Sequence, residues 1–229
     1  MTTIELRHAR VHLALHRLQE GSGTPLLLLH ALRGSAADWQ QRRTGWPGSV
    51  YALDLSGHGR SGHVRGGGYL SELWAGDADS ALAYLKSETV VVGAGMSAYV
   101  ALLVAGARPA AVRCSVLLPG AGLEGGGAEP DFSSLPVPLR GSYETGALRE
   151  APLLDPAVTY AELELRPTWY AKPFAEAARR VVLVEDGQPR PPWWTTLRGL
   201  PNVLTHAHGD LDLQGALVSA RETLAAQAV

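Results

Sequence analysis

The chain has 229 residues, 46 % hydrophobic and 18 % charged, with a formal net charge of −2. That balance excludes a disordered or collagen-like polypeptide. The scattered basic residues, of which only Lys86 and Lys172 are lysines, exclude the concentrated positive footprint of a nucleic-acid binder. Cys114 is the single cysteine, so no internal disulfide forms and nothing argues for an oxidising compartment. Met1 to Arg10 is too polar for the apolar core of a signal peptide, and the run Leu26 to Leu29 is far short of a membrane span. The expected location is the cytoplasm, with no membrane partner.

In chain order, Ile4–Leu6 and Val11–Leu18 alternate like two exposed strands split by a polar turn. Gly21-Ser22-Gly23 then breaks the chain before Leu26–Leu29. That unbroken apolar run, bounded by turn residues, predicts a strand buried on both faces. The same holds for Val50–Leu53, Thr89–Val92, Arg113–Leu118 and Val181–Val184, and more weakly for Val203–Thr205. Helical patterns lie between them at Tyr69–Leu85, Ser97–Ala107, Pro192–Leu200 and Gln214–Ala226. Alternating strands and helices predict an α/β protein, its mostly parallel sheet covered by helices on both faces. From Gly120 to about Pro173 the rhythm stops: the segment is rich in Gly and Pro and shows no period. It reads as a lid excursion within a single domain spanning 1–229.

Three motifs follow in order. Leu29-His30-Ala31-Leu32-Arg33-Gly34-Ser35 with Trp39 resembles the histidine-glycine turn after the third strand of α/β-hydrolases. Asp54-Leu55-Ser56-Gly57-His58-Gly59-Arg60-Ser61 is similar to that family's loop after the fourth strand. Val90-Val91-Val92-Gly93-Ala94-Gly95-Met96-Ser97-Ala98 has the form of its nucleophile elbow. The resemblance implies the α/β-hydrolase fold with a reduced, irregular lid. It also implies an oxyanion hole or ligand pocket around His30, with the backbone N–H groups of Leu32 and Met96 as donors.

The catalytic positions depart from the family pattern. The elbow must be small two residues before and after the nucleophile, which Gly93 and Ser97 satisfy, so the nucleophile position falls on Gly95. Glycine has nothing to attack with. Moving the nucleophile to Ser97 would put Tyr99 where a small residue is needed, so Ser97 reads first as a structural small residue and second as a displaced nucleophile. After the seventh strand, Arg190 stands where the family carries its acid. Asp186 and Glu185 nearby, and Glu124 after the sixth strand, are the substitute carboxylates. Thr205-His206-Ala207-His208-Gly209 resembles the loop bearing the family's histidine, which makes His208 the candidate base, with a surface histidine as the bland reading. Trp169, Tyr170, Trp193 and Trp194 are candidates to line a lid pocket, or simply to pack.

Two rival motifs fail. Gly93-Ala94-Gly95-Met96-Ser97-Ala98 matches a dinucleotide-binding fingerprint, but the next strand ends Leu117-Leu118-Pro119 without the acid that holds a ribose. His206-Ala207-His208-Gly209-Asp210 resembles a metallo-β-lactamase turn, but Leu211 stands where the next ligand is needed. No cofactor or metal is therefore expected.

Three functions remain. The first is a hydrolase-like protein without a serine nucleophile that binds a small molecule or partner, as the glycine-rich elbows of the N-myc downstream regulated proteins resemble. The second is a cofactor-free enzyme of hydrolase, lyase or oxygenase type, with His208 as general base and the Leu32/Met96 amides as oxyanion hole. The third is a hydrolase using Ser97.

Overall fold

The structure is a computed structural model and describes residues 2–40, 42, 45–127, 148–207 and 213–226. Eight strands form one sheet: β1 (Thr2–His8), β2 (Val11–Gln19), β3 (Leu26–Leu29), β4 (Val50–Asp54), β5 (Thr89–Ala94), β6 (Val112–Leu118), β7 (Val181–Glu185) and β8 (Val203–Ala207). Their spatial order is β1-β2-β4-β3-β5-β6-β7-β8. The β1–β2 and β2–β4 pairs are antiparallel and every other pair is parallel. Among the described residues five α-helices accompany them: α1 (Ser71–Leu85), α2 (Met96–Ala107), α3 (Thr168–Ala177), α4 (Pro192–Leu197) and α5 (Leu213–Ala226). This is the mostly parallel α/β architecture that the motifs imply.

The apolar runs are strands buried on both faces. In β3, Leu27 and Leu29 face the core shared with α1–α4, while Leu26 and Leu28 face the core shared with α5 and the 3-10 turn Ala36–Trp39. Alternate side chains of a strand point to opposite faces, so a strand between two helical layers must be apolar throughout. α2 lies deepest, with Met96 to Ala105 all buried, and its sequence is accordingly apolar around its circumference.

Two expectations need correction. β2 is not an exposed strand. Leu13, Ala14 and Leu15 are fully buried, because β2 pairs with β1 on one side and β4 on the other, and the Ser61 hydroxyl caps the Ala14 N–H at 2.9 Å. The excursion from Gly120 to Pro173 is not without regular structure either. It contains a 3-10 helix, Pro156–Leu163, capped by the Asp155 carboxylate accepting from Ala157 N–H at 3.0 Å, and the first half of α3. Pro156 at the helix start and Pro173 inside α3 hid both elements from a periodicity reading. Residues 128–147 of that excursion lie outside the described residues.

Candidate functional site

The β5–α2 junction is a sharp strand-to-helix turn. Gly95 caps α2 with φ 57° and ψ −123°, a conformation that side-chain-bearing residues rarely hold. Gly93 has no room for a side chain, because its Cβ would run into the Ser97 carbonyl and the Ala98 nitrogen. Ser97 is fully buried and its hydroxyl donates to the His30 carbonyl at 2.5 Å, tying α2 to the end of β3.

The turns around the elbow are held by two neutral histidines. His30 donates from Nδ1 to the Ala31 carbonyl at 2.8 Å and accepts at Nε2 from Leu55 N–H at 3.2 Å. His58 donates from Nδ1 to the Ser56 carbonyl at 3.2 Å and accepts at Nε2 from Arg33 N–H at 3.3 Å. Each ring therefore has one donor and one acceptor nitrogen in use, which is the neutral tautomer. Burial holds both below the ordinary histidine value, and for His58 the neighbouring His30 adds to the effect. Both rings are thus spent on joining loops, and neither nitrogen of His30 is left for a ligand.

The loop after β4 is anchored by Asp54. Its carboxylate accepts from Ala36 N–H at 2.7 Å, Arg60 N–H at 2.9 Å and the His16 ring at 2.9 Å. Burial alone would raise this carboxyl, but the His16 ring and the two amides outweigh it and leave it below its ordinary value.

The amides of Leu32 and Met96 do converge, and they are already occupied. Both donate to the Ala121 carbonyl, Met96 at 2.9 Å and Leu32 at 3.3 Å. A Cβ built on Gly95 would fall far inside contact distance of that same oxygen, and 2.7 Å from the Gly120 carbonyl carbon. Gly122, at φ 76°, lies so close that its own Cβ would sit 2.7 Å from Leu32 Cβ and 3.0 Å from Met96 Cβ. The turn Gly120-Ala121-Gly122 therefore fills the space beside Gly95 and the Leu32 and Met96 amides. Sequence reasoning missed this turn. Its signal is Gly120 and Gly122, flanking Ala121 just past β6 at the start of the stretch that reads as a lid.

At the end of β7, the residue expected at the acid position is Arg190. The Arg190 guanidinium donates to the Asp186 carboxylate and, at 3.3 Å, to the Pro189 carbonyl. It lies 3.8 Å from Glu185 and stacks over Trp194 at 5.8 Å. Asp186 also accepts from Gln188 N–H at 3.0 Å, and this bond, with the Arg190 charge, holds its carboxyl below the ordinary range. Glu185 accepts from Trp194 Nε1 at 2.9 Å and Arg198 Nε at 3.0 Å. Both carboxylates are thus engaged in local pairs. Glu124 is exposed and borders a cleft of about 340 Å³ with Pro119, Gly122, Glu162, Pro189 and Arg190. His206 lies on β8, whereas His208 lies outside the described residues. Of the aromatic candidates, Trp193 and Trp194 are fully buried core residues, Tyr170 packs edge-on against Phe174 at 5.2 Å, and Trp169 is exposed. Among the described residues no three His, Cys, Asp or Glu side chains gather as a metal cluster.

Sheet order, a strained turn between β5 and α2 and paired amides beside it define a protein built on a hydrolase frame. The chain belongs to the alpha/beta hydrolase family, whose model matches residues 26–228. No curated protein matches it. Among solved structures it is similar to a hypothetical protein, PA1622, from Pseudomonas aeruginosa PAO1, at 22 % identity over all of both chains and a TM-score of 0.66. It is also similar to an N-formylmaleamic acid deformylase from Pseudomonas putida S16, at 16 % identity over 96 % of this chain and all of that one, with a TM-score of 0.68. The bottromycin epimerase BotH matches at 16 % identity over 99 % of each chain, with a TM-score of 0.63. At these identities the likeness is one of fold.

Proposed function

We propose that this protein is a non-hydrolytic member of the family that keeps the hydrolase frame as a scaffold for binding a small molecule. The observation that carries this reading is at residue 95. The elbow backbone keeps its strained form, yet the residue has no side chain, and the space beside it belongs to the Ala121 carbonyl. The acid position supports the reading independently, because Arg190 would repel the imidazolium that a triad acid has to stabilise. The cleft bordered by Glu124, Glu162 and Arg190 is the proposed ligand site.

A deformylase and an epimerase among the similar structures are consistent with a frame that hosts more than one chemistry. The alternative of a cofactor-free enzyme with His208 as base needs the Leu32 and Met96 amides open to a developing oxyanion, and Ala121 holds both. Loss of a triad serine removes about 10⁶ in rate, leaving roughly 10³–10⁴ over water. That remainder depends on an open amide pair, which Ala121 occupies. Activated aryl esters should therefore show neither a burst nor turnover above the uncatalysed rate, and a fluorophosphonate probe should label no residue. Stoichiometric labelling of Ser97 would replace this reading with a hydrolase of displaced nucleophile.

A further inference from the structure

The Ala121 carbonyl is held in the amide pair by more than its own two hydrogen bonds. Next to it, the Gly122 carbonyl accepts from the Arg166 guanidinium, whose side chain is wholly buried. Arg166 stacks over Tyr99 of α2 at 5.7 Å and lies 3.8 Å from Glu164. Glu164 in turn accepts from Ser71 N–H at 2.8 Å and from the Ser71 hydroxyl at 2.5 Å, at the start of α1. Backbone bonds extend the same attachment, from Gly126 N–H to Glu164 and from Gly127 N–H to Glu162, both at 2.9 Å. On the other side, the Leu123 carbonyl accepts from Trp193 Nε1 at 3.3 Å. A continuous series of contacts thus runs from α1 through Glu164 and Arg166 to the turn that fills the amide pair.

We infer that Gly120-Ala121-Gly122 is an internal plug, with the Ala121 carbonyl bound as a resident ligand of the Leu32 and Met96 amides, and that Arg166 is the positioning residue that latches it. Arg166 Nε and Nη2 are buried without hydrogen-bond partners among the described residues, so the guanidinium's hydrogen bonding rests on the Nη1 bond to the Gly122 carbonyl, and a charge-assisted bond to a carbonyl is stronger than a neutral one. Arg166 thereby favours the conformation in which the plug is seated. The plug excludes acyl carbonyls from the pair, and ligands meet its outer face in the cleft lined by Gly122 and Glu124. This inference deepens the non-hydrolytic reading and rests on it.

Backbone amide exchange measured by NMR tests the latch. Met96 is the first residue of α2, and an amide there has no intrahelical partner, so its protection reports the plug directly. In the unmodified protein the Leu32 and Met96 amides should exchange slowly. In Arg166→Met both should exchange about tenfold faster or more, while Leu28 and Val92 in the central strands change by less than about twofold. Arg166→Lys, which keeps a cation and a donor, should recover part of the protection. Unchanged exchange at Leu32 and Met96, an equal rise at all four amides, or no recovery by lysine would each overturn the latch. Should the Arg166 variants not fold, Gly122→Ala displaces the turn against Leu32 and Met96 with the Arg166 side chain left in place. It should expose the same two amides, and protection left intact would refute the plug. These readings are independent of fluorophosphonate labelling, which bears on the function proposed above.

Discussion

At Gly95, two physical constraints coincide. The dihedrals favour glycine, and the Ala121 carbonyl occupies the direction in which a side chain would project. Restoring the family's residue by Gly95→Ser should therefore not restore a site. The serine Cβ must either distort the elbow or push out the plug. Backbone strain and overpacking together should cost about 2–4 kcal/mol, read as a lower midpoint in urea unfolding. A variant with the parent's midpoint would mean that the turn accommodates a side chain. Gly93 and Ser97 could be read from sequence because the elbow's steric rule depends on spacing alone. That the Ser97 hydroxyl is committed to the His30 carbonyl could not, because those residues are brought together only by the β3–β5 pairing.

Among the elements, α2 carries most of the packing and illustrates how a glycine can be kept against propensity. Alanine is preferred over glycine inside a helix by about 0.5–1 kcal/mol. At Gly106, however, a Cβ would sit 2.5 Å from Phe174 Cα, because α3 crosses α2 at that point with backbone close to backbone. The steric term, about 1–3 kcal/mol for overpacking, exceeds the propensity gain. Gly106→Ala should thus lower stability by about 1–2 kcal/mol in chemical denaturation. A stabilised variant would show that α3 shifts without cost. The α2 pattern itself was legible as a helix, but α3 was not, since Pro173 and the glycine-rich approach hid a helix whose existence depends on docking against α2 and α4.

For the whole molecule, buried histidines set the response to acid. His63 has both ring nitrogens buried without hydrogen-bond partners, with Nδ1 3.5 Å from Asp155. Burial and then the Arg149 charge push it down to about 4, against the pull of Asp155. His30 and His58 are lowered as well. An unfolded histidine titrates near 6.5, so below about pH 6.5 the unfolded chain binds more protons than the folded one, and stability falls as pH falls. His63 contributes to that loss between about pH 6.5 and 4. Asp54 is depressed and adds a later loss, as its carboxylate protonates below the ordinary carboxylate value. His8 acts in the opposite sense. Its bond to Asp77 raises it, so that contribution is present below about pH 6.5 and is lost as pH rises through the folded value. Urea midpoints measured from pH 7 to 4 should decline, and His63→Leu should decline less steeply. Equal slopes for the two proteins would exclude His63 as a source of acid lability.

The sequence by itself determined the sheet, the β5–α2 elbow and the glycine at its apex. Each is written in local terms: apolar runs that only a doubly covered strand can bury, and glycines at the spacing a tight turn requires. Only the tertiary structure decided what fills the space beside that glycine. The residues that fill and hold it come from separate stretches of chain, Leu32 after β3, Met96 in α2, Ala121 after β6 and Arg166 before α3. Their meeting depends on the parallel pairing of β3, β5 and β6, which brings the loops at the strand ends to one edge of the sheet. A hydrogen bond from an amide to a carbonyl requires no particular side chain, so the chain marks the filling of the amide pair with nothing more specific than the glycines that flank Ala121.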